Sequence, residues 1–284
     1  MRKWMTLLLA AMLLFAAACA ENLEASMGDA MKLNSNEIYH LDLDGDGEEE
    51  TVFPFMEEPE WDEPLRLIVE KGEEEYSYET YIYYSEEVYA ADLDGDGTLE
   101  LLLSGDEASA DYSTWCLKFD SERGIYAIAF ADANRGENTQ EYFDFGYGRI
   151  VALEGSTLTM VGSQDMLGTW WCSRAFTLRD GRFELDDDGM WHVVDDFEDP
   201  EIWEYKGLTL IRELEVVTAD AGTATLQKGE KLVITGTDKK AATFLTDSGL
   251  EGTIETEPNT KDGWGFLIDG LSEYEYFEYI PYAD

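Results

Sequence analysis

Two nine-residue segments, 42–50 and 92–100, carry the residue types that could bind a metal ion. They read DLDGDGEEE and DLDGDGTLE, so both have Asp at positions one, three and five and Glu at position nine. Two carboxylates about 4 Å apart repel by roughly 4 kcal/mol at an effective dielectric near 20. A cation that contacts all of them would remove this repulsion, and we expect an empty loop to open.

Calcium is the cation that these donors indicate. It prefers carboxylate and carbonyl oxygens, and the backbone carbonyl at position seven can join the side chains. Glycines at positions four and six allow positive φ, so the short loop can curl around an ion. Two acidic turns without metal are the alternative. The predicted calcium ligands are Asp42, Asp44, Asp46, Glu48 and Glu50 in the first loop and Asp92, Asp94, Asp96, Thr98 and Glu100 in the second.

An EF-hand begins in the same way but ends differently. Its position twelve is a bidentate Glu, whereas these loops have Phe53 and Leu103 there. The segments instead resemble the D-x-D-G-D-G-x-x-[DE] box of FG-GAP and VCBS repeats, which are the calcium-bearing units of integrin-type β-propellers. The resemblance covers residues 37–188, and it implies that calcium staples each loop without taking part in recognition.

The loops recur after 50 residues, which is the length expected of a propeller blade or a similar all-β unit. A β-rich run and a hairpin follow each loop, and a third hairpin turns at Asp180-Gly181. A shift of 51 residues places FDFGYGRIV (143–151) on the second loop. The acids are replaced there, so this third unit should bind no metal. A closed propeller needs at least four blades; residues 186–205 could build the fourth, or the units could form an open stack.

Residues 206–284 show the short alternating runs of a small β-barrel. LQKGEKLVITGTD followed by ATFLTDSGLEGTI resembles bacterial Src-homology-3-like modules, and the match spans residues 214–255. The closing stretch is dense in aromatic residues, which either pack the barrel or form a platform for a glycan or peptide. We therefore predict an all-β chain, with a calcium-binding propeller-like repeat domain at 36–205 and a Src-homology-3-like barrel at 206–284.

The first residues predict export. Residues 1–18 place two basic residues ahead of an apolar run that is short for a membrane span, as in a signal peptide. The run ends in AAAC, which resembles a bacterial lipoprotein box and implies a lipid on Cys19, with 19–35 as a polar tether. The protein would then be anchored on the extracellular face of the cytoplasmic membrane, and ordinary secretion is the alternative. Cys116 and Cys172 could form a disulfide outside the cell or remain two buried thiols.

Charge and residue types narrow the function. The 63 acidic and 19 basic residues give a formal net charge of −44. The negative electrostatic potential of such a chain excludes nucleic acid as a partner. The chain has two histidines and no nucleophile elbow, zinc-protease motif or phosphate loop. We predict no catalytic residues, and a binding or scaffold module for an envelope glycan or protein. A glycan hydrolase with an unmarked acid pair and a calcium-responsive sensor are the alternatives; the oligomeric state stays open.

Overall fold

The computed structural model describes residues 26–57, 63–109, 111–131, 142–185, 190–238, 240–260 and 264–283. Strands dominate these residues, and α1 (Pro200–Tyr205) is the only α-helix among them. The all-β prediction is therefore confirmed. The predicted signal peptide and Cys19 lie outside the described residues. Within the described ranges, no helix has the length and apolar character needed to cross a membrane.

Backbone pairing already includes Ser26, the first residue that the structure describes. Ser26 forms a β-bridge with Ala152, and strand β1 (Met31–Leu33) pairs antiparallel with β6 (Tyr84–Ala91). The predicted polar tether at 19–35 is therefore wrong for its second half, because backbone pairing to two different sheets holds that half in place.

The first repeat is a four-stranded antiparallel meander, and loop 42–50 joins its first two strands. The strands are β2 (Tyr39–Leu41), β3 (Glu50–Phe55), β4 (Arg66–Lys71) and β5 (Glu74–Glu79). Buried side chains alternate along β3 and through most of β4. This pattern is typical of an antiparallel sheet with one face on the core and the other toward solvent.

The second repeat has the same meander, and loop 92–100 joins its first two strands. After β6 its strands are β7 (Glu100–Asp106), β8 (Tyr112–Asp120) and β9 (Gly124–Ala127), and β12 (Phe145–Tyr147) pairs at the edge of β8. Both faces of β7 are buried. Leu101 and Leu103 pack with the first sheet, whereas Leu102 packs with the third sheet, so the three sheets stack face to face.

The third repeat is again a four-stranded meander within a larger sheet. Its strands are β13 (Arg149–Glu154), β14 (Thr157–Asp165), β15 (Thr169–Arg179) and β16 (Arg182–Leu185), with β10 (Phe130–Ala131) and β11 (Tyr142–Phe143) alongside. The predicted hairpin turn is confirmed, because Asp180 and Gly181 have φ of 50° and 75° between the paired strands β15 and β16.

The front of the third repeat differs from the prediction. Residues 143–151 do not form a degenerate loop but lie in β11, β12 and β13. A short turn at residues 155–156 connects β13 to β14, where the other repeats have an acidic loop. The shift of 51 residues was wrong because the extra strands β10 to β12 separate the second and third meanders. The described part of residues 186–205 holds only β17 (Trp191–Val193) and α1, so it does not form a fourth four-stranded sheet.

The C-terminal sheet continues from the third repeat. β17 pairs with β15 and also with β21 (Lys231–Thr237), so one sheet crosses the predicted boundary at residue 205. The other strands are β18 (Leu208–Thr209), β19 (Leu214–Thr218), β20 (Thr223–Leu226), β22 (Ala241–Thr246), β23 (Glu251–Glu255), β24 (Glu257–Pro258), β25 (Phe266–Ile268) and β26 (Leu271–Ser272). Their main sheet has the order β21-β22-β23-β19-β20.

The predicted alternative of a disulfide between Cys116 and Cys172 is not what the structure has. Both are free, buried thiols. Cys116 packs between the second and third sheets, whereas Cys172 packs in the C-terminal core. Burial raises the pKa of both thiols, because the charged thiolate is disfavoured away from water. The other alternative, two buried thiols, is the arrangement found.

Candidate cation site in two acidic loops

The two acidic loops share one backbone conformation. Gly45 and Gly95 at position four have φ of 72° and 74°, and Gly47 and Gly97 at position six both have φ of 88°. Residues with a side chain rarely adopt these values. The two glycines of each loop therefore allow the chain to turn between two adjacent strands within nine residues, as the sequence predicts.

The first Asp of each loop accepts a hydrogen bond from a backbone N–H later in the same loop. Asp42 Oδ2 accepts the N–H of Gly47 at 3.0 Å. In the second loop, Asp92 Oδ2 accepts the N–H of Gly97 at 3.1 Å. This carboxylate spans positions one to six, so it fixes where the later carboxylates lie.

Positions five and seven are bonded to each other. Asp46 Oδ1 accepts the N–H of Glu48 at 2.8 Å. Asp96 Oδ1 accepts both the N–H and the hydroxyl of Thr98, at 2.8 and 2.5 Å. The Thr98 hydroxyl and then the ammonium of Lys118 lower the pKa of Asp96 to about 2, because both donate to the charged carboxylate.

The Glu at position nine is the buried end of each loop. Glu50 and Glu100 are both 0% exposed. Glu50 Oε2 accepts the N–H of Leu43, and Glu100 Oε2 accepts the N–H of Leu93, both at 2.8 Å. A carboxylate taken out of water loses several kcal/mol of solvation. The second oxygen of each Glu therefore needs a positive partner.

In the first loop that partner is Lys71, at the end of β4. Three carboxylate oxygens surround its ammonium: Asp44 Oδ2 at 2.7 Å, Asp46 Oδ2 at 2.7 Å and Glu50 Oε1 at 2.8 Å. Burial works against the charge of Lys71, but hydrogen bonds to these carboxylates outweigh burial and hold the pKa of Lys71 well above its usual range. A lysine ammonium thus takes the place expected for the cation.

The second loop repeats this contact with Lys118 of β8. The oxygens around its ammonium are Glu100 Oε1 at 2.7 Å, Asp96 Oδ2 at 2.9 Å and Asp94 Oδ2 at 3.8 Å. Here too burial opposes the charge, and the bonds to Glu100 and Asp96 raise the pKa of Lys118. The side chain of Lys118 is only 14% exposed, so this is not an ordinary surface ion pair.

Neither lysine was predicted from the sequence, although strand register places both. Leu101 pairs with Leu117, so Glu100 and Lys118 follow as the next cross-strand neighbours. In the first repeat the last strand pair before the loop is Thr51 with Glu70, and the next residues toward the loop are Glu50 and Lys71. The signal was a lysine near the end of each third strand, and it becomes visible only when the strands are aligned.

The two loops also touch each other. The N–H of Leu99 in the second loop donates to the carbonyl of Leu43 in the first at 3.1 Å. The predicted ligands of both loops therefore lie on one edge of the stacked sheets, where their negative charges reinforce one another.

Calcium fits the chemistry of these oxygens, but the lysines already hold many of them. Carboxylate oxygens of three predicted side chains come within 4.8 Å of one another in each loop: Asp42, Asp44 and Glu50 in the first, and Asp92, Asp94 and Asp96 in the second. A calcium ion takes six to eight oxygens at about 2.3–2.6 Å. It could collect the oxygens of Asp44 and Glu50 only after Lys71 had left.

The aromatic residues of the closing stretch divide between the core and the surface. Tyr276 and Phe277 are buried in the C-terminal core. Trp264, Tyr274 and Tyr279 keep 54%, 51% and 55% of their surface exposed. The packing interpretation therefore holds for some of these residues, and others remain open to solvent.

The comparisons with known proteins add no family to this geometry. No model of a protein family matches the chain, no curated protein is similar to it, and no solved structure matches its fold.

Proposed function

We propose that the protein is a non-catalytic binding or scaffold module of the cell envelope, exported and held there by a lipid on Cys19. The observation that supports this role is that the acidic clusters hold the fold together. Glu50 and Glu100 are fully buried, and each is shared between a backbone N–H and a lysine. The two acids of a glycoside hydrolase must flank the bond they cleave. Glu50 and Glu100 instead hold adjacent strands together.

The proposed architecture is a relative of the FG-GAP and VCBS propeller, followed by a Src-homology-3-like module. Three consecutive four-stranded meanders that stack face to face support the first part. The antiparallel sheet β21-β22-β23-β19-β20 supports the second part. Stacked blades of this kind present loops on shared edges, which suits a scaffold.

The proposed partner is an envelope glycan or protein, and the exposed aromatic residues near the C-terminus are the surface that suits it. Trp264 is 54% exposed, and its ring packs on that of Tyr282 with the centroids 4.3 Å apart. A supported ring loses little conformational freedom on binding, and Trp and Tyr are enriched at interfaces for this reason.

Co-sedimentation of the full mature chain with insoluble peptidoglycan tests this proposal. We expect the protein to sediment with the glycan and to release no reducing ends. Trp264→Ala should lower the bound fraction, whereas Tyr147→Ala, which removes another exposed ring, should not. Release of soluble sugar would support the hydrolase instead, and equal binding by both variants would remove the aromatic surface from the proposal.

A calcium-responsive module is the second candidate, and one atom favours it. Asp42 Oδ1 is buried and has no hydrogen-bond partner in the described part of the chain. An unpaired carboxylate oxygen beside Asp44 and Glu50 is a position where an added cation would be stabilised. Calcium would enter the first loop in exchange for the ammonium of Lys71.

Calcium titration with thermal unfolding tests the second candidate. Calcium at ~100 times its Kd would stabilise the fold by about 2.7 kcal/mol per site, and Asp44→Ala with Asp94→Ala should abolish the shift. An affinity within the calcium range of the surroundings would indicate a sensor. No shift in the unaltered protein would remove calcium from the function and leave the scaffold proposal in place.

A further inference from the structure

We propose that Lys71 and Lys118 are the resident cations of the two acidic loops, so that each loop is closed without a metal ion. This departs from the expectation that a loop without calcium opens. It does not depend on the identity of the partner or on whether calcium can enter.

The first argument is that the ammonium group matches its acceptors. A lysine carries three donors, and Lys71 Nζ has three carboxylate oxygens at 2.7–2.8 Å. These distances are typical of charge-assisted hydrogen bonds. Two of the three donors bond to Asp44 Oδ2 and Asp46 Oδ2, and the ion pair with Glu50 Oε1 compensates that buried charge inside the fold.

The second argument is repetition. Lys118 lies against the equivalent carboxylates of the second loop, at 2.7 Å from the buried Glu100, 2.9 Å from Asp96 and 3.8 Å from Asp94. The two loops are separate in sequence, and the lysines come from different strands, β4 and β8. Because the same cross-strand pair occurs in both repeats, the lysine is a recurring structural component of the loop and not a chance neighbour.

The third argument comes from the repeat that lacks an acidic loop. Thr157 is the first residue of β14, as Glu100 is the first residue of β7, and it pairs with Thr177 of β15. Their hydroxyls lie 2.9 Å apart. Where the loop is reduced to a short turn, the acid and the lysine are both replaced, and a neutral hydrogen bond stands in their place.

By these three arguments, each lysine has the structural role that a bound calcium ion would otherwise have. The ammonium neutralises the buried Glu and joins the third strand of each meander to the loop between the first and second strands. Because it is covalently part of the chain, it cannot be removed by dilution or by a chelator. Calcium can enter only by displacing it.

Thermal unfolding of the full mature chain in EDTA tests the role of Lys118. Lys118→Met keeps the apolar stem and removes the charge, and it should lower Tm by about 5–10 °C because Glu100 is left buried without its partner. The matched control is Lys32→Met, since Lys32 forms an exposed ion pair with Glu87; its Tm should change by less than about 2 °C. Equal effects of the two variants would overturn the proposal.

A double variant guards against simple loss of folding. Glu100→Thr with Lys118→Thr copies the pair found in the third repeat, and it should regain at least half of the Tm lost in Lys118→Met. Recovery supports a charge pair. A double variant as unstable as the single one, or more so, contradicts it, because a mere loss of packing would add to the damage.

Chemical acetylation of the unaltered protein in EDTA gives a reading that needs no variant. Lys71 and Lys118 should react at least about tenfold more slowly than Lys32, because their ammonium groups are released only when the loop opens. Peptide mass spectrometry measures each rate. Equal rates for the three lysines would show that the loops stand open without metal, which would overturn the proposal.

Discussion

Gly45 and Gly97 lie against each other where the two acidic loops meet, and a Cβ on Gly45 would come within 3.2 Å of the carbonyl oxygen of Gly97. The corresponding glycine of the second loop, Gly95, has nearly the same φ, but a Cβ placed on it would have no neighbouring atom within 4 Å. Of these two equivalent positions, only the one in the first loop lies against the other loop. This difference makes the contact between the loops measurable.

Replacing Gly45 by Ala should destabilise the protein more than replacing Gly95 by Ala. Both changes cost roughly 1–2 kcal/mol for a side chain at positive φ. Gly45→Ala adds a close approach to a backbone oxygen that cannot rotate away, so we expect about 1 kcal/mol more. Urea unfolding of both variants measures the difference. Equal losses would mean that the loops do not touch in solution.

The neutral pair in the third repeat provides a second prediction. Thr157→Val or Thr177→Val alone should lower the free energy of unfolding by about 1 kcal/mol, because the remaining hydroxyl loses its partner in a partly buried place. The double change to Val should cost less than the sum of the single changes. Strictly additive losses, measured by urea unfolding, would mean that the two hydroxyls do not bond to each other.

The sequence predicts the acidic loops well and their partners poorly, for a physical reason. The loop is a local feature, since spacing and glycines alone define it. The lysines are 21 and 18 residues beyond Glu50 and Glu100 in the chain, and only strand register brings them together. One lysine among strand residues looks like an ordinary exposed side chain until its cross-strand neighbour is known.

The front of the third repeat was predicted wrongly, and the sheet that crosses the predicted domain boundary was not foreseen, for related reasons. Two glycines in residues 143–151 looked like those of the loops, but glycine also allows close packing. A Cβ on Gly146 would lie 2.5 Å from the side chain of Met160 and 2.9 Å from that of Phe130. The sheet that crosses residue 205 depends on the pairing of β17 with β21, and no local sequence pattern predicts that pairing.

The state of the cysteines gives a third prediction. Cys116 and Cys172 are buried in different cores, and burial raises the pKa of each thiol. A thiol reagent should therefore label neither thiol in the folded protein and both in urea. Reducing agent should leave Tm unchanged. A fall in Tm on reduction would show that a disulfide forms after all.

The fourth prediction concerns a buried acid in the C-terminal part. Glu273 is 0% exposed, and both of its oxygens accept from the Tyr282 hydroxyl, at 3.1 and 3.0 Å. Burial raises the pKa of Glu273 to about 7; hydrogen bonds from Tyr282 and the N–H of Phe266 oppose this rise, and the charge of Asp165 adds to it. The carboxyl is therefore protonated in the folded protein at pH values where the unfolded chain is already ionised.

This difference fixes the sign of the pH dependence. Between the ordinary pKa of 4.5 and the folded value of about 7, the folded state binds more protons than the unfolded state. Its stability is therefore greatest below this window and falls as the pH rises through it. At 1.36 kcal/mol per pKa unit, Glu273 should contribute a loss of up to about 3 kcal/mol between pH 4.5 and pH 8.

Glu273→Gln should remove that loss, because the amide stays neutral and can still accept from Tyr282. Unfolding free energies of the variant and the unaltered protein, measured by urea at several pH values, should converge or cross as the pH rises from 5 to 8. Glu275→Gln is the control, since Glu275 is exposed on the same short turn, and its curve should run parallel to that of the unaltered protein. A parallel curve for Glu273→Gln as well would mean that Glu273 is ionised in the folded protein throughout this range.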